Sequence, residues 1–159
     1  MAQTLRMDDL DDRDRAILRE LQRDGRLTNA DLAAKVNLSA SACLRRVKIL
    51  EEEGFIAGYA MLVDAARVGL RAVAFVMITL DQQGRATLDA FERAVTRHPE
   101  ILECYLLAGT ADYMVRVAFR DAAHFERIHS DVLTQLPGVT RVQSIMTLRT
   151  VKTTTALPV

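Results

Sequence analysis

Disulfides, metal ligands and long apolar runs are scarce in this chain. It has two cysteines in 159 residues, Cys43 and Cys104. Two thiols do not make a disulfide framework, and neither sits at zinc-ligand spacing from other donors. No apolar run approaches the ~18 residues of a membrane span. The opening MAQTLRMDDL has no apolar signal core. The chain therefore reads as cytoplasmic, with no membrane partner. Ser/His/Asp sets, paired carboxylates and glycine-rich phosphate loops are all missing. The three histidines are His98, His124 and His129. The last two are five apart on a predicted helix, not the i,i+4 of a shared metal face, so surface or rim positions are expected. No cofactor, metal or catalytic residue is expected. The Asp-rich stretch from Asp8 to Asp14 reads as a helix start.

Net charge is missing too: 21 bases balance 21 acids. For nucleic-acid binding that is mildly unfavourable. Splitting the chain changes little, because residues 1–60 carry ten bases and eleven acids. The local distribution matters more. Lys35, Arg45, Arg46 and Lys48 lie in one window without an acid. Acids bracket it, Asp8 to Asp14 before and Glu51 to Glu53 after. A local basic face on a neutral protein is still an electrostatic footprint for DNA.

The pattern around that window is three short helices. Leu10, Ile17, Leu18 and Leu21 give helical spacing over Asp11 to Asp24, with Asp residues at the positive end of the dipole. Thr28 caps a second helix to about Val36, and Asn37 suits a left-handed turn. Ser39 caps a third helix to about Glu53, with Cys43, Leu44, Val47 and Leu50 turned inward. Phe55 to Val63 reads as a strand. Two helices around a tight turn, the second one basic, is how a chain lays a helix in the major groove. Ser39, Ala40 and Ser41 at its start suit bases and phosphates. Arg45 and Arg46 can read guanine or meet phosphate, and Lys48 suits phosphate. The same bases would equally make a solvated face with i,i+4 pairs to Glu51 and Glu52. Thr28 and Asn29 fit both capping and phosphate contact.

The second half changes rhythm after a connector at Asp64 to Gly69, so the domains are expected at 1–63 and 64–159. A β run spans Ala72 to Leu80. A helix follows from Ala86 to Arg97 with Leu88, Phe91 and Val95 on one face. Strands are predicted at Ile101 to Ala108 and Asp112 to Phe119 around a turn at Gly109 to Ala111. A helix over Ala122 to Leu136 and a strand from Val139 to about Thr155 complete a β-α-β-β-α-β order, the ferredoxin-like arrangement. The class is α+β. Ala74, Val76 and Ile78 alternate with Val73, Phe75 and Met77, so both faces of the first strand are apolar. A second subunit is expected to cover the face without helices.

In LDDRDRAILRELQRDGRLTNADLAAKV, LSASACLRRVKILEEEGFIAGY, ECYLLAGTADYMVRV, LPGV and TVKTTTALP, nearly the whole chain resembles the leucine-responsive/asparagine-responsive (Lrp/AsnC) family of transcription regulators. The resemblance implies a winged helix-turn-helix that binds pseudo-palindromic double-stranded DNA. It also implies a ferredoxin-like half that dimerises, assembles toward octamers and binds a small amino-acid effector. Amino-acid metabolism or transport is the implied regulon. On the family's pattern, the effector turn supplies Gly109, Thr110, Asp112 and Tyr113. The last strand supplies Ser144, Ile145 and Met146, and Leu106 lines an apolar pocket. This chain departs from the pattern at Ala40 and Ala42, where prolines are frequent. It departs again at Thr110 and Ala111, where acidic and aromatic residues are frequent. A siroheme-decarboxylase-like enzyme on the same fold and an amino-acid sensor without DNA binding are the alternatives. The basic helix argues against the enzyme, and the sensor predicts that replacing Arg45 and Arg46 with Ala leaves cellular function unchanged.

Overall fold

The computed structural model describes residues 10–159; Asp8 and Asp9 of the acidic stretch and the opening segment read for a signal lie outside them. The chain divides into two compact units. One ends at Leu62 and takes in Lys152–Val159, and the other is Val63–Val151.

Three helices build the first unit: α1 (Asp12–Arg23), α2 (Asn29–Lys35) and α3 (Ala40–Glu52). Each begins at the residue whose side chain can cap it. Asp11 caps α1 in a reciprocal box with Asp14, Thr28 caps α2, and Ser39 caps α3. Asn37 takes the left-handed conformation (φ 53°) between α2 and α3, the turn its side chain tolerates. Gly54 (φ 78°) ends α3 the same way. Leu10, Ile17, Leu18, Leu32, Ala33, Val36, Cys43 and Leu50 form the core. Leu44 does not join it. Expected inward, it is 46 % exposed.

Two further expectations fail in this unit. Phe55 to Val63 is not a strand: Phe55 and Ile56 lean on the helical core, but Met61 is 85 % exposed and Tyr59, Leu62 and Val63 are exposed too. A strand needs a partner for its N–H and C=O groups. Among the described residues this unit offers none. Nor does Lys152–Val159 continue the last strand. The Gln22 side-chain amide grips the backbone of Leu157, donating to its carbonyl (3.2 Å) and accepting from its N–H (2.5 Å). Val159 packs against the helical core.

The second unit is a four-stranded antiparallel sheet with helices on one face. In chain order come β1 (Ala72–Leu80), α4 (Arg85–Val95), β2 (Ile101–Leu106), β3 (Tyr113–Phe119), α5 (Ala122–Arg127) and β4 (Val139–Met146). The sheet order is β2-β3-β1-β4, so β2 and β4 are the edges. The alternation in β1 separates its faces. Ala74, Val76, Ile78 and Leu80 are buried with Phe91, Val95, Val115, Val117, Phe125 and Leu133. Val73, Phe75 and Met77 are only half-buried on the side without helices. The helix expected to Leu136 ends as α5 at Arg127, and a wide turn (Ile128–Val132) and a tight one (Leu133–Gln135) carry the chain on. The Thr134 hydroxyl and Gln135 amide both donate to the Ser130 carbonyl, which diverts it from a regular ladder. β4 stops at Met146 because β1 starts at Ala72: Met146 pairs with Ala74, and Thr147 makes the last bond, to Val73.

Candidate nucleic-acid interface and effector turn

Helix α3 presents one exposed stripe. Ser41, Leu44, Arg45 and Lys48 are spaced i, i+3, i+4, i+7 and all four are exposed. Arg45 and Lys48 form no ion pair among the described residues, so the pairing with Glu51 and Glu52 that would make them a neutral solvated face is not formed. Glu51 instead accepts from the Tyr59 hydroxyl at 2.9 Å. Two free cations on one helical stripe, with Ser39 and Ala40 exposed at its N-terminus, can meet a polyanion.

The other expected DNA residues are tied down. The Thr28 hydroxyl accepts from Asp31 N–H and donates to its carboxylate at 2.6 Å. Asn29 Nδ2 donates to the Ala40 carbonyl at 2.8 Å, pinning the start of α2 to the first turn of α3, and its Oδ1 is buried without a partner. The Ser39 hydroxyl caps Ala42 N–H and lies 3.3 Å from Ser41 Oγ. Arg46 bridges Asp11 (2.8 Å) and Asp14 (2.7 Å). Backbone donation from Asp14, with the Arg46 contacts, holds the Asp11 carboxyl below its ordinary value against partial desolvation. Sequence reasoning turned Leu44 inward and so missed it on the exposed stripe. Its i+3 relation to Ser41 was the available sign.

The turn after β2 is built around Asp112, a buried carboxylate. Its Oδ2 accepts from Leu80 N–H and its Oδ1 from Gln83 Nε2, both at 2.7 Å. Its backbone N–H donates to Ile78 and its carbonyl accepts from Leu107. Asp112 therefore fastens the turn to the end of β1, each of its carboxylate oxygens accepting one bond from the chain. Tyr113 is core: it is 1 % exposed, its ring centroid lies 4.4 Å from that of Phe91, and its hydroxyl donates to Glu92 at 2.8 Å. Gly109 does not take a positive φ, and an added Cβ would meet nothing within 4 Å. The turn does not need glycine for its conformation. Gly109 and Thr110 are exposed, and Leu106 is 59 % exposed at the end of β2.

Ser144, Ile145 and Met146 stand elsewhere. They lie on edge strand β4, and Leu106 and the turn lie at edge strand β2. Three strand spacings, about 14 Å, separate those edges. One subunit does not bring the two sets of expected effector residues together. Ser144 Oγ is buried without a hydrogen-bond partner, whereas Ile145 and Met146 are exposed. The histidines converge on nothing: all three are half-buried, and His124 Nδ1 accepts from Arg120 N–H at 3.2 Å. Among the described residues, no group of three or more His, Cys, Asp or Glu could hold a metal ion. No described helix is long and apolar enough to cross a membrane.

Two family models match the chain, the Lrp/AsnC ligand binding domain over residues 73–157 and a winged helix-turn-helix DNA-binding domain over residues 10–57. The leucine-responsive regulatory protein of Rhizobium meliloti (strain 1021) is 40 % identical over 144 residues, covering 91 % of this chain and 92 % of that protein. The Bkd operon transcriptional regulator of Pseudomonas aeruginosa is 40 % identical over 152 residues, covering 96 % and 99 %. A Neisseria meningitidis transcriptional regulator solved as an L-Met complex superposes with a TM-score of 0.89 at 38 % identity, covering 94 % and 96 %. Fold, stripe and relatives define a DNA-binding transcriptional regulator with a separate α+β ligand-binding unit, and not an enzyme. The chain belongs to the Lrp/AsnC family.

Proposed function

We propose that this regulator reads a pseudo-palindromic operator through α3 and responds to a free amino acid. Its targets are genes of amino-acid metabolism or transport, and it works in the cytoplasm as a homodimer that assembles toward an octamer. The observation that carries the DNA reading is the exposed stripe of Ser41, Leu44, Arg45 and Lys48, whose two cations have no ion pair among the described residues, with Ser39 and Ala40 ahead of it. The effector reading is supported by the L-Met complex of the Neisseria regulator. Thr110, Gly109 and Leu106 offer a hydroxyl, free backbone groups and an apolar surface. Asp112 and Tyr113 hold that turn in place. Ser144, Ile145 and Met146 enter the same site only when a neighbouring subunit supplies them.

The half-covered sheet face favours a partner copy. Phe75 stands in register with Ile145 on one side and Arg116 on the other, and Met77 with Gln143 and Met114. Antiparallel partners share a face, so Phe75, Met77, Ile145 and Met114 give it apolar surface, with Arg116 and Gln143 among them. Functionally, residues 1–63 handle DNA and residues 64–159 handle assembly and effector. An effector bound between subunits biases one assembly over another. The test is an anisotropy titration against DNA from upstream of the protein's own gene, with and without the twenty amino acids. Competitor-resistant binding that shifts with the pool is expected. Binding indifferent to the pool removes the effector claim, and no specific binding to any genomic fragment removes the operator claim.

A further inference from the structure

The first turn of α1 touches both other helices of its unit. Arg13 Nη1 donates to the Val36 carbonyl at the end of α2, at 2.6 Å. Asp11 and Asp14 cap each other's backbone N–H groups. Arg46, from the middle of α3, places one nitrogen, Nη1, between those two carboxylates at 2.8 and 2.7 Å. Its side chain is 25 % exposed, whereas its neighbour Arg45 is exposed and has no ion pair among the described residues.

A guanidinium already bridging two carboxylates offers a phosphate little net positive field, and the phosphate would meet both acids as well. The tie does something else. The fully buried anchors of α3 are two, Cys43 and Leu50. Apolar contact is non-directional, so it resists separation of α3 from its neighbours better than rotation about the helix axis. Rotation would swing Arg45 and Lys48 off a groove with the helix intact. The Asn29–Ala40 bond fixes the first turn of α3, and Arg46 fixes the middle.

We propose that Arg46 is a positioning residue and not a DNA contact: it locks the rotation of α3 to the capped start of α1. Asp11 and Asp14 then support DNA binding although their charge repels DNA. The inference rests on α3 being the element that reads DNA. It makes a prediction of unusual sign. Removing an acid beside a DNA-binding surface strengthens binding by simple electrostatics, whereas here it weakens binding.

The test uses the full chain and a labelled duplex enriched from random sequence by the wild-type protein. Affinity is measured at several salt concentrations for Asp14→Asn, Arg46→Ala, the pair together, Arg46→Lys and Arg45→Ala, with melting curves to verify folding. Asp14→Asn and Arg46→Ala are each expected to weaken binding roughly fivefold, the scale of partly exposed ion pairs. The double variant is expected to be no weaker than Arg46→Ala alone, and Arg46→Lys to recover part of the loss. The slope of log K against log salt stays at the wild-type value in these variants, whereas Arg45→Ala flattens it by about 0.9. Asp14→Asn binding as tightly as wild type, or Arg46→Ala flattening the slope, overturns the proposal. If Arg46→Ala does not fold, Asp14→Asn decides alone. If Arg45→Ala changes neither affinity nor slope, the reading of α3 as the recognition helix is what fails.

Discussion

Asp112 illustrates how a side chain within a motif can hold the chain itself together. Its carboxylate gives Leu80 N–H a partner in a buried place. Asp112→Ala leaves that N–H unpaired, which costs about 1–3 kcal/mol. A fall in melting temperature of several degrees is expected, together with a weaker effector response. Asp112→Asn, which keeps an acceptor, should fall much less. If Asp112→Ala melts like wild type, the turn is held by something else. Cys104 is a second residue with a definite expectation. Burial, then the nearby Glu92 charge, pushes its thiol up to about 11. At pH 8 about one thiol in a thousand is ionised, so alkylation by iodoacetamide should be far slower than for a free thiol. Burial and the Glu92 carboxylate also push the Tyr113 hydroxyl up. The folded state keeps both protons at pH values where the unfolded chain has lost them. Stability is therefore present below about pH 9 and falls as pH rises above it, measurable by urea unfolding at pH 8 and 10.

Among elements, α3 is the most legible in the sequence and also where the reading was least discriminating. Its caps, its turn and its ends follow from Ser39, Asn37 and Gly54, whose conformational preferences are local. The division of labour between Arg45 and Arg46 does not. Adjacent helical residues differ by ~100° in direction, and Asp11 and Asp14, thirty-odd positions earlier, decide which one is neutralised. Leu44 was assigned inward because apolar residues usually are, but the bundle core is filled by Cys43 and Leu50. On a stripe proposed to read DNA, an exposed leucine suits a thymine methyl. Replacing individual thymines of a selected duplex by deoxyuridine should weaken wild-type binding at one step of each half-site and leave Leu44→Ala insensitive there. Equal sensitivity of both proteins at every thymine would remove Leu44 from the interface. The missing strand at Phe55 to Val63 has a similar origin: its pattern is right for a strand, and the described residues of its unit offer no partner to make one.

On the scale of the whole molecule, the half-covered sheet face without helices is the proposed assembly surface. Phe75→Glu replaces the large apolar ring at the centre of that face, between Ile145 and Arg116, with a carboxylate and should split oligomers in sedimentation experiments while leaving a folded subunit. Unchanged sedimentation would move the interface elsewhere. The face is not wholly apolar: Arg116 and Glu103 pair across it at 2.6 Å, and that contact holds the Glu103 carboxyl below its ordinary value. In the proposed effector site the residues depend on assembly for a geometric reason. They sit on the two edge strands, which no motion within one subunit can join.

What the sequence determined by itself is everything set by neighbours along the chain. Capping residues placed the helix starts, left-handed residues placed the turns, and period-two alternation placed β1 at Ala72–Leu80. The motifs also pointed to the Lrp/AsnC family. Tertiary structure decided which polar groups were left free. A carboxylate or guanidinium looks the same in sequence whether it faces solvent or a partner thirty residues away. The fold pairs Arg46 and leaves Arg45 free, ties Asp112 to Leu80, and buries Tyr113 against Phe91. Pairwise contacts at short range are what select between binding a ligand and holding the chain, and only the folded chain brings those pairs together.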